Sequence, residues 1–241
     1  MLNAAGWAAL AASSLVVGAW LGCVLDVSPR TVGLVMGFGA GALIASISFE
    51  LTEEAYAIAG GQPVAAGLAV GALAFFLGDL WIDRMGGRER KRVDAAAGDQ
   101  TSLALLLGAA LDGIPESLII GLSLVTGGSV EIAFLISVAV SNFPEGFASA
   151  AARHKAGVPT ATILGQWLVI VAVSGVSGAV GYVVFDDLAP SAVAFTQAFA
   201  AGALLTMVLD TMVPEAYRDV RAWTGLVGVA GFAFAFYLTT L

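Results

Sequence analysis

Eight apolar runs, each about as long as a bilayer is thick, constrain this chain more than any other feature. They lie at about 4–25, 31–52, 63–83, 101–126, 130–153, 159–184, 190–213 and 222–241. A spanning α-helix needs roughly 20 predominantly apolar residues. In hydrocarbon every backbone polar group must be paired inside its own segment, so such runs predict helices. Composition agrees: 59% of the 241 residues are hydrophobic and 12% are charged, whereas soluble domains carry about 25% charge. The expected fold class is an all-α polytopic membrane protein, with eight transmembrane helices in a single transmembrane domain over 1–241. No basic residues precede the first run, which reads as a retained helix rather than a cleaved signal.

Basic residues set the expected orientation. All ten Lys and Arg fall in alternate connections: Arg30, then Arg84, Arg88, Arg90, Lys91 and Arg92, then Arg153 and Lys155, then Arg218 and Arg221. The positive-inside rule places those loops in the cytoplasm and both termini outside, in a multi-pass protein of the cell (inner) membrane. Trp81 and Trp223, at the cytoplasmic ends of their segments, suit interfacial anchors. The net charge of −8 excludes nucleic acid as a partner. The single cysteine, Cys23, excludes an internal disulfide and a cysteine-rich metal site.

An internal repeat recurs at a constant offset of 161 residues. Asp26-Val-Ser-Pro29 returns as Asp187-Leu-Ala-Pro190, Ala40-Gly-Ala-Leu43 as Ala201-Gly-Ala-Leu204, and Glu54-Ala-Tyr56 as Glu215-Ala-Tyr217. Five crossings separate the copies, so the two units are expected to have opposite orientations, an arrangement found in many secondary transporters. The chain then divides into a first three-helix repeat (1–83), a basic cytoplasmic loop (84–100), a central pair of helices (101–153) and a second three-helix repeat (159–241). Gly37, Gly39, Gly41 and Ala45, and Gly175, Gly178 and Gly181, sit at spacings that let helix backbones approach closely.

The candidate site lies in the central pair. Asp112-Gly-Ile-Pro115-Glu116 and Ser141-Asn142-Phe-Pro144-Glu145 each interrupt an apolar run with a carboxylate beside a proline. A charged side chain at bilayer mid-depth costs about 2.5–3.5 kcal/mol. Proline lacks an N–H and clashes with the carbonyl four residues back, freeing the oxygens of Leu111 and Val140. Asp112 and Glu116 share one helix face, as do Ser141, Asn142 and Glu145. Two such faces meeting would make an oxygen-lined cage for a cation. A polar seam that only joins the two helices is the bland alternative, disfavoured because three carboxylates without an intramembrane cation repel one another. If all three were ionised, one divalent ion would leave a net charge of −1, so a second ion or a proton would complete the balance.

Glu50 and Glu54, with Glu53, and Asp210 with Glu215 form a second tier near opposite mouths, as either a relay or solvated helix ends. His154 reads as a loop residue beside Arg153 and Lys155. Gly175-Val-Ser177-Gly178 resembles the motif of intramembrane serine proteases, but no intramembrane histidine can serve as base. Phe76-Leu-Gly78-Asp79 falls short of the aspartyl-protease pattern. No enzyme is expected.

At these residues the chain resembles the ZIP (Zrt-, Irt-like protein) family of metal-ion transporters. The resemblance rests on Asn142-Phe-Pro144-Glu145-Gly146 and its Pro115-Glu116 echo. The stretches Gly41-Ala-Leu-Ile-Ala-Ser and Phe199-Ala-Ala-Gly-Ala-Leu-Leu through Pro214-Glu215-Ala216 resemble its bacterial branch. It implies eight core helices, an inverted repeat and metal ligands at Asp112, Glu116, Ser141, Asn142 and Glu145. Gln166 falls in a family Gly-Gln pair and joins the expected pathway with Glu50, Glu54, Asp210 and Glu215. Asp112 stands where the family usually has histidine, Ser141 where it often has histidine or glutamine, and Ala172 where a glutamate is frequent. An all-oxygen set suits Mn and Fe better than an imidazole set would. The expected function is movement of a divalent ion (Zn, Mn, Fe or Cd) into the cytoplasm, the metal being substrate and no cofactor being required. A ZIP-like sensor or structural homologue that binds metal without moving it is the alternative. The expected partners are the lipid bilayer and divalent cations, with a homodimer left open.

Overall fold

In the computed structural model, seven helices among the described residues are long and apolar enough to cross a bilayer, and an eighth of 17 residues is shorter but equally apolar. The chain is an all-α polytopic membrane protein. Residues 1–84, 99–126, 132–185 and 188–240 are described. Most of the predicted basic loop, the Gly127-Gly128 break and the Asp187 repeat match lie outside them.

The helices are α1 Leu2–Val24, α2 Pro29–Ala59, α3 Gly61–Arg84 and α4 Asp99–Thr126. They continue as α5 Ile132–Lys155, α6 Thr160–Phe185, α7 Pro190–Val220 and α8 Trp223–Thr239. Ser28 starts α2, its hydroxyl accepting from the Thr31 N–H at 3.2 Å ahead of Pro29, whose missing N–H costs nothing at a first turn. Trp81 and Trp223 are exposed at their helix ends, as residues facing a membrane interface should be.

Two helices run well past the apolar segments that predict them. α2 continues from 52 to Ala59, and α7 from 213 to Val220. Each carries a π-helical segment, Ile47–Thr52 in α2 and Val208–Met212 in α7. In α2 the Thr52 hydroxyl donates to the Ile47 carbonyl five residues back at 2.8 Å, serving an oxygen inside the widened turn. In α7 the segment immediately precedes Pro214, which cannot donate to Asp210 and so favours the local rewinding. Gly60 ends α2 with φ 74 and Arg221 ends α7 with φ 50. The starts, the first residues of the π segments, the ends and the positive-φ residues of these two helices are all displaced by 161 positions.

Six helices touch in the order α4, α6, α1, α5, α2, α7 and back to α4, making a ring; α3 packs on α7 and α8 on α2 from outside. Glycine permits the closest approaches. A side chain at Gly41 in α2 would collide with the Gly228 carbonyl of α8, and one at Gly231 with the Phe38 carbonyl of α2. Gly202 in α7 meets the Leu68 carbonyl of α3, and Gly71 the Phe199 carbonyl of α7. Phe38 and Gly41 correspond to Phe199 and Gly202 at the same 161-residue offset. On the other side of the ring, Gly18, Gly22 and Gly146 bring α1 against α5, and Gly121 and Gly181 bring α4 against α6. Inside, Leu43, Ile47, Ile120, Leu122, Phe134 and Leu204 form part of one buried apolar cluster.

Candidate metal site

α4 and α5 are not close-packed along their length; side chains bridge them across the ring. Glu116, 2% exposed on α4, accepts a hydrogen bond from the Asn142 side chain of α5. Asp112, one helical turn away, is near enough for its charge to act on Glu116. This hydrogen bond is the point at which a polar side chain of α4 reaches one of α5. Both helices continue through Pro115 and Pro144.

Ser141 and Asn142 are buried at 3% and 6% exposure, with Glu145 half-buried on the same face one turn on. The Ser141 hydroxyl donates to the Val138 carbonyl at 2.9 Å, which directs its lone pairs rather than its proton outward. Among the described residues, no three of His, Cys, Asp and Glu gather closely enough to hold a metal ion between them. The carboxylates drawn together here are Glu116 and Asp112, with the Asn142 amide bonded to Glu116; the expected cage of Asp112, Glu116 and Glu145 is not assembled among them. Gly39 of α2 lies against this part of α5, where an added methyl would come within 2.9 Å of the Ser141 Cα and 3.2 Å of the Val140 carbonyl. A bulkier residue at 39 would therefore displace the backbone that carries Ser141 and Asn142.

The second tier divides. Glu50, in the π segment of α2, is buried, and Glu54 one turn on is half-buried. Glu54 accepts from the Gln197 Nε2 of α7 at 2.8 Å. Glu53 and Asp210 are exposed, and Glu215 is half-buried near the far end of α7. Gln166 is half-buried near the start of α6, its Oε1 covered and without a hydrogen-bond partner. Asp210 and Gln166 are thus not joined to the Glu116–Asn142 bridge by any hydrogen bond.

Two features escaped the sequence reading. Gln197 is a lone amide in the seventh apolar run, and its polarity in hydrocarbon was the available signal. Ser46 of α2 donates to Ser137 of α5 at 2.9 Å in a fully buried bond, tying the two helices together one turn before Ser141. Serines give no comparable signal, because their hydroxyls can bond to their own helix. Replacing both serines by alanine singly and together should reveal a coupling energy of about 0.6 kcal/mol, the usual size of an interhelical hydrogen bond in a membrane. Thermal unfolding of the four proteins in detergent measures it; additive effects would show the bond to be energetically idle.

The fold and these buried oxygens define a multi-pass membrane protein whose polar groups are held inside a ring of helices. No family model matches the chain. It is 27% identical over 198 residues to an Arabidopsis thaliana protein named "Putative zinc transporter", a match covering 81% of this chain and 31% of that protein. The chain therefore spans less than a third of that relative's length.

Proposed function

We propose that this chain is a ZIP-like permease that moves a divalent metal ion across the cell (inner) membrane toward the cytoplasm. The observation that carries the reading is Glu116, buried in the ring, hydrogen-bonded by Asn142 across to α5 and with the Asp112 carboxylate one turn away. In a membrane interior such groups need a compensating positive charge, and a desolvated cation supplies it. Asp112 and Glu116 replace the ion's first waters and Glu145 closes on the bound ion from α5, with Ser141, Asn142 and the proline-freed carbonyls of Leu111 and Val140 completing the shell. The resemblance to the plant protein favours zinc as cargo, while the all-oxygen donor set favours Mn or Fe, and Cd belongs to the same panel.

The 161-residue correspondence between α2 and α7 supports an inverted repeat of helices 1–3 and 6–8 around α4 and α5. On that arrangement both termini face outward, and Glu50 and Glu54 stand at the outer mouth. Glu215 and Asp210 stand toward the inner mouth. Rocking of the repeat-derived helices against α4 and α5 presents the ion to alternate sides. The protein acts as a transporter and not an enzyme.

Uptake of Zn, Mn, Fe and Cd into proteoliposomes tests this. Wild-type protein should accumulate at least one of the four, and Glu145→Ala should not. Retained metal binding without uptake of any ion would instead identify a metal-binding sensor or structural homologue.

A further inference from the structure

A narrow recess of about 10 Å³, room for one water-sized guest or a bare ion, opens among α2, α4, α5 and α7, lined by Glu50, Leu51, Glu54, Ile119, Ser123, Phe134 and Gln197. It lies where α2 and α4 finish and α5 and α7 begin, so it occupies one end of the ring. Ser123 is seven residues beyond Glu116, about 10 Å along the α4 axis at 1.5 Å per residue. This space is therefore separate from the Glu116–Asn142 bridge.

Gln197 is the informative wall. It is 2% exposed, and its Nε2 is committed to Glu54 at 2.8 Å. That fixes the amide orientation, since a carboxylate accepts only from the nitrogen. The other end of the amide, Oε1, is buried and has no hydrogen-bond partner. An acceptor left buried and unmade is unfavourable, so a guest that takes a lone pair there gains what the protein alone forgoes. The Ser123 hydroxyl gives its proton to the Ile120 carbonyl at 3.0 Å and likewise keeps its lone pairs. Two carboxylates, an amide oxygen and a hydroxyl oxygen form a donor set with no nitrogen or sulfur.

We propose that Glu50, Glu54, Ser123 and Gln197 form a second divalent-cation site, selective for hard ions such as Mn, Mg and Ca, distinct from the one at Glu116. Hard cations take carboxylate, carbonyl and hydroxyl oxygens, while Zn and later metals gain from imidazole or thiolate, which this recess lacks. Gln197 acts as a strut: by holding Glu54 from α7, it keeps two helices at the spacing the ion requires. That ions pass from here to Glu116 rests on the transport reading; that the recess binds one does not.

Titration of the full-length protein in nanodiscs with Mn(II), following free Mn by electron paramagnetic resonance, tests the proposal. Wild-type protein should show a class of bound Mn that millimolar Ca displaces. Glu50→Gln and Glu54→Gln keep side-chain shape, and each should weaken that class by about tenfold or more, the scale of losing a ligand or its support. Gln197→Leu should do the same, with Gln197→Glu restoring Mn binding by returning an oxygen. Glu116→Gln should leave this class intact. Unchanged Mn binding in Glu50→Gln and Glu54→Gln, or a class indifferent to Ca, overturns the proposal. Loss of the Ca-sensitive class in these variants, with Glu116→Gln still transporting normally, would instead uphold this site and sink the transport role of Glu116.

Discussion

Glu116→Gln is expected to fold as well as the wild type yet to lower metal uptake into proteoliposomes by at least about tenfold, equivalent to roughly 1.4 kcal/mol of lost ion stabilisation. Glutamine keeps the length and shape of the buried side chain, and its amide oxygen can still accept from Asn142. What disappears is the negative charge beside Asp112. If the bridge between α4 and α5 served only to hold the helices together, the result would invert. Uptake would persist, and melting temperature would carry the effect. Measuring both quantities on the same preparation separates the two roles. Asn142→Leu provides the reciprocal case, because it leaves the Glu116 carboxylate without its amide donor and should reduce both uptake and stability.

The second large effect concerns packing. Gly41→Leu should prevent recovery of folded protein, because the added side chain points at the Gly228 carbonyl of α8, and a backbone atom cannot rotate aside as a flexible side chain can. Overpacking a core typically costs about 1–3 kcal/mol even when side chains can adjust, and this contact offers no such relief. Gly225→Leu, on the same helix α8, meets no atom within 4 Å and should be tolerated. Size-exclusion profiles in detergent compare them directly. Equal, monodisperse yields from both variants would show that α2 and α8 do not require this approach.

Much of the architecture was legible because hydropathy and membrane thickness leave few options. Apolar runs fix where helices must be, while glycine spacing marks where they can touch. Helix ends were harder to read. Glu53, Glu54 and Tyr56 in α2, and Pro214, Glu215, Arg218 and Asp219 in α7, end the apolar signal although backbone hydrogen bonding carries each helix one to two turns further. The π segments left no mark in composition, since they arise from how Thr52 and Pro214 reroute local bonds. Within the site, the meeting of Glu116 with Asn142 followed from shared faces on two proline-bearing helices. Gln197 did not, because its role depends on α7 crossing α2 beside Glu54, a tertiary fact. Gly37 illustrates the same limit: though it belongs to the predicted glycine stripe, its neighbours stay at 3.7 Å or more, unlike those of Gly39 and Gly41.

The pairing of α2 with α8 and of α7 with α3 has a consequence for biogenesis. Helix α2 leaves the ribosome long before its partner: translation must add the residues from Ala59 to Trp223 before α8 even begins. At roughly 5–20 residues per second this interval is about 10–30 s. Throughout it, the glycine groove of α2 has only lipid, or an insertion chaperone, to fill it. Nascent chains stalled before α8 should therefore remain sensitive to proteolysis and crosslink to the insertion machinery through the Gly41 face, and should be released once α8 has emerged.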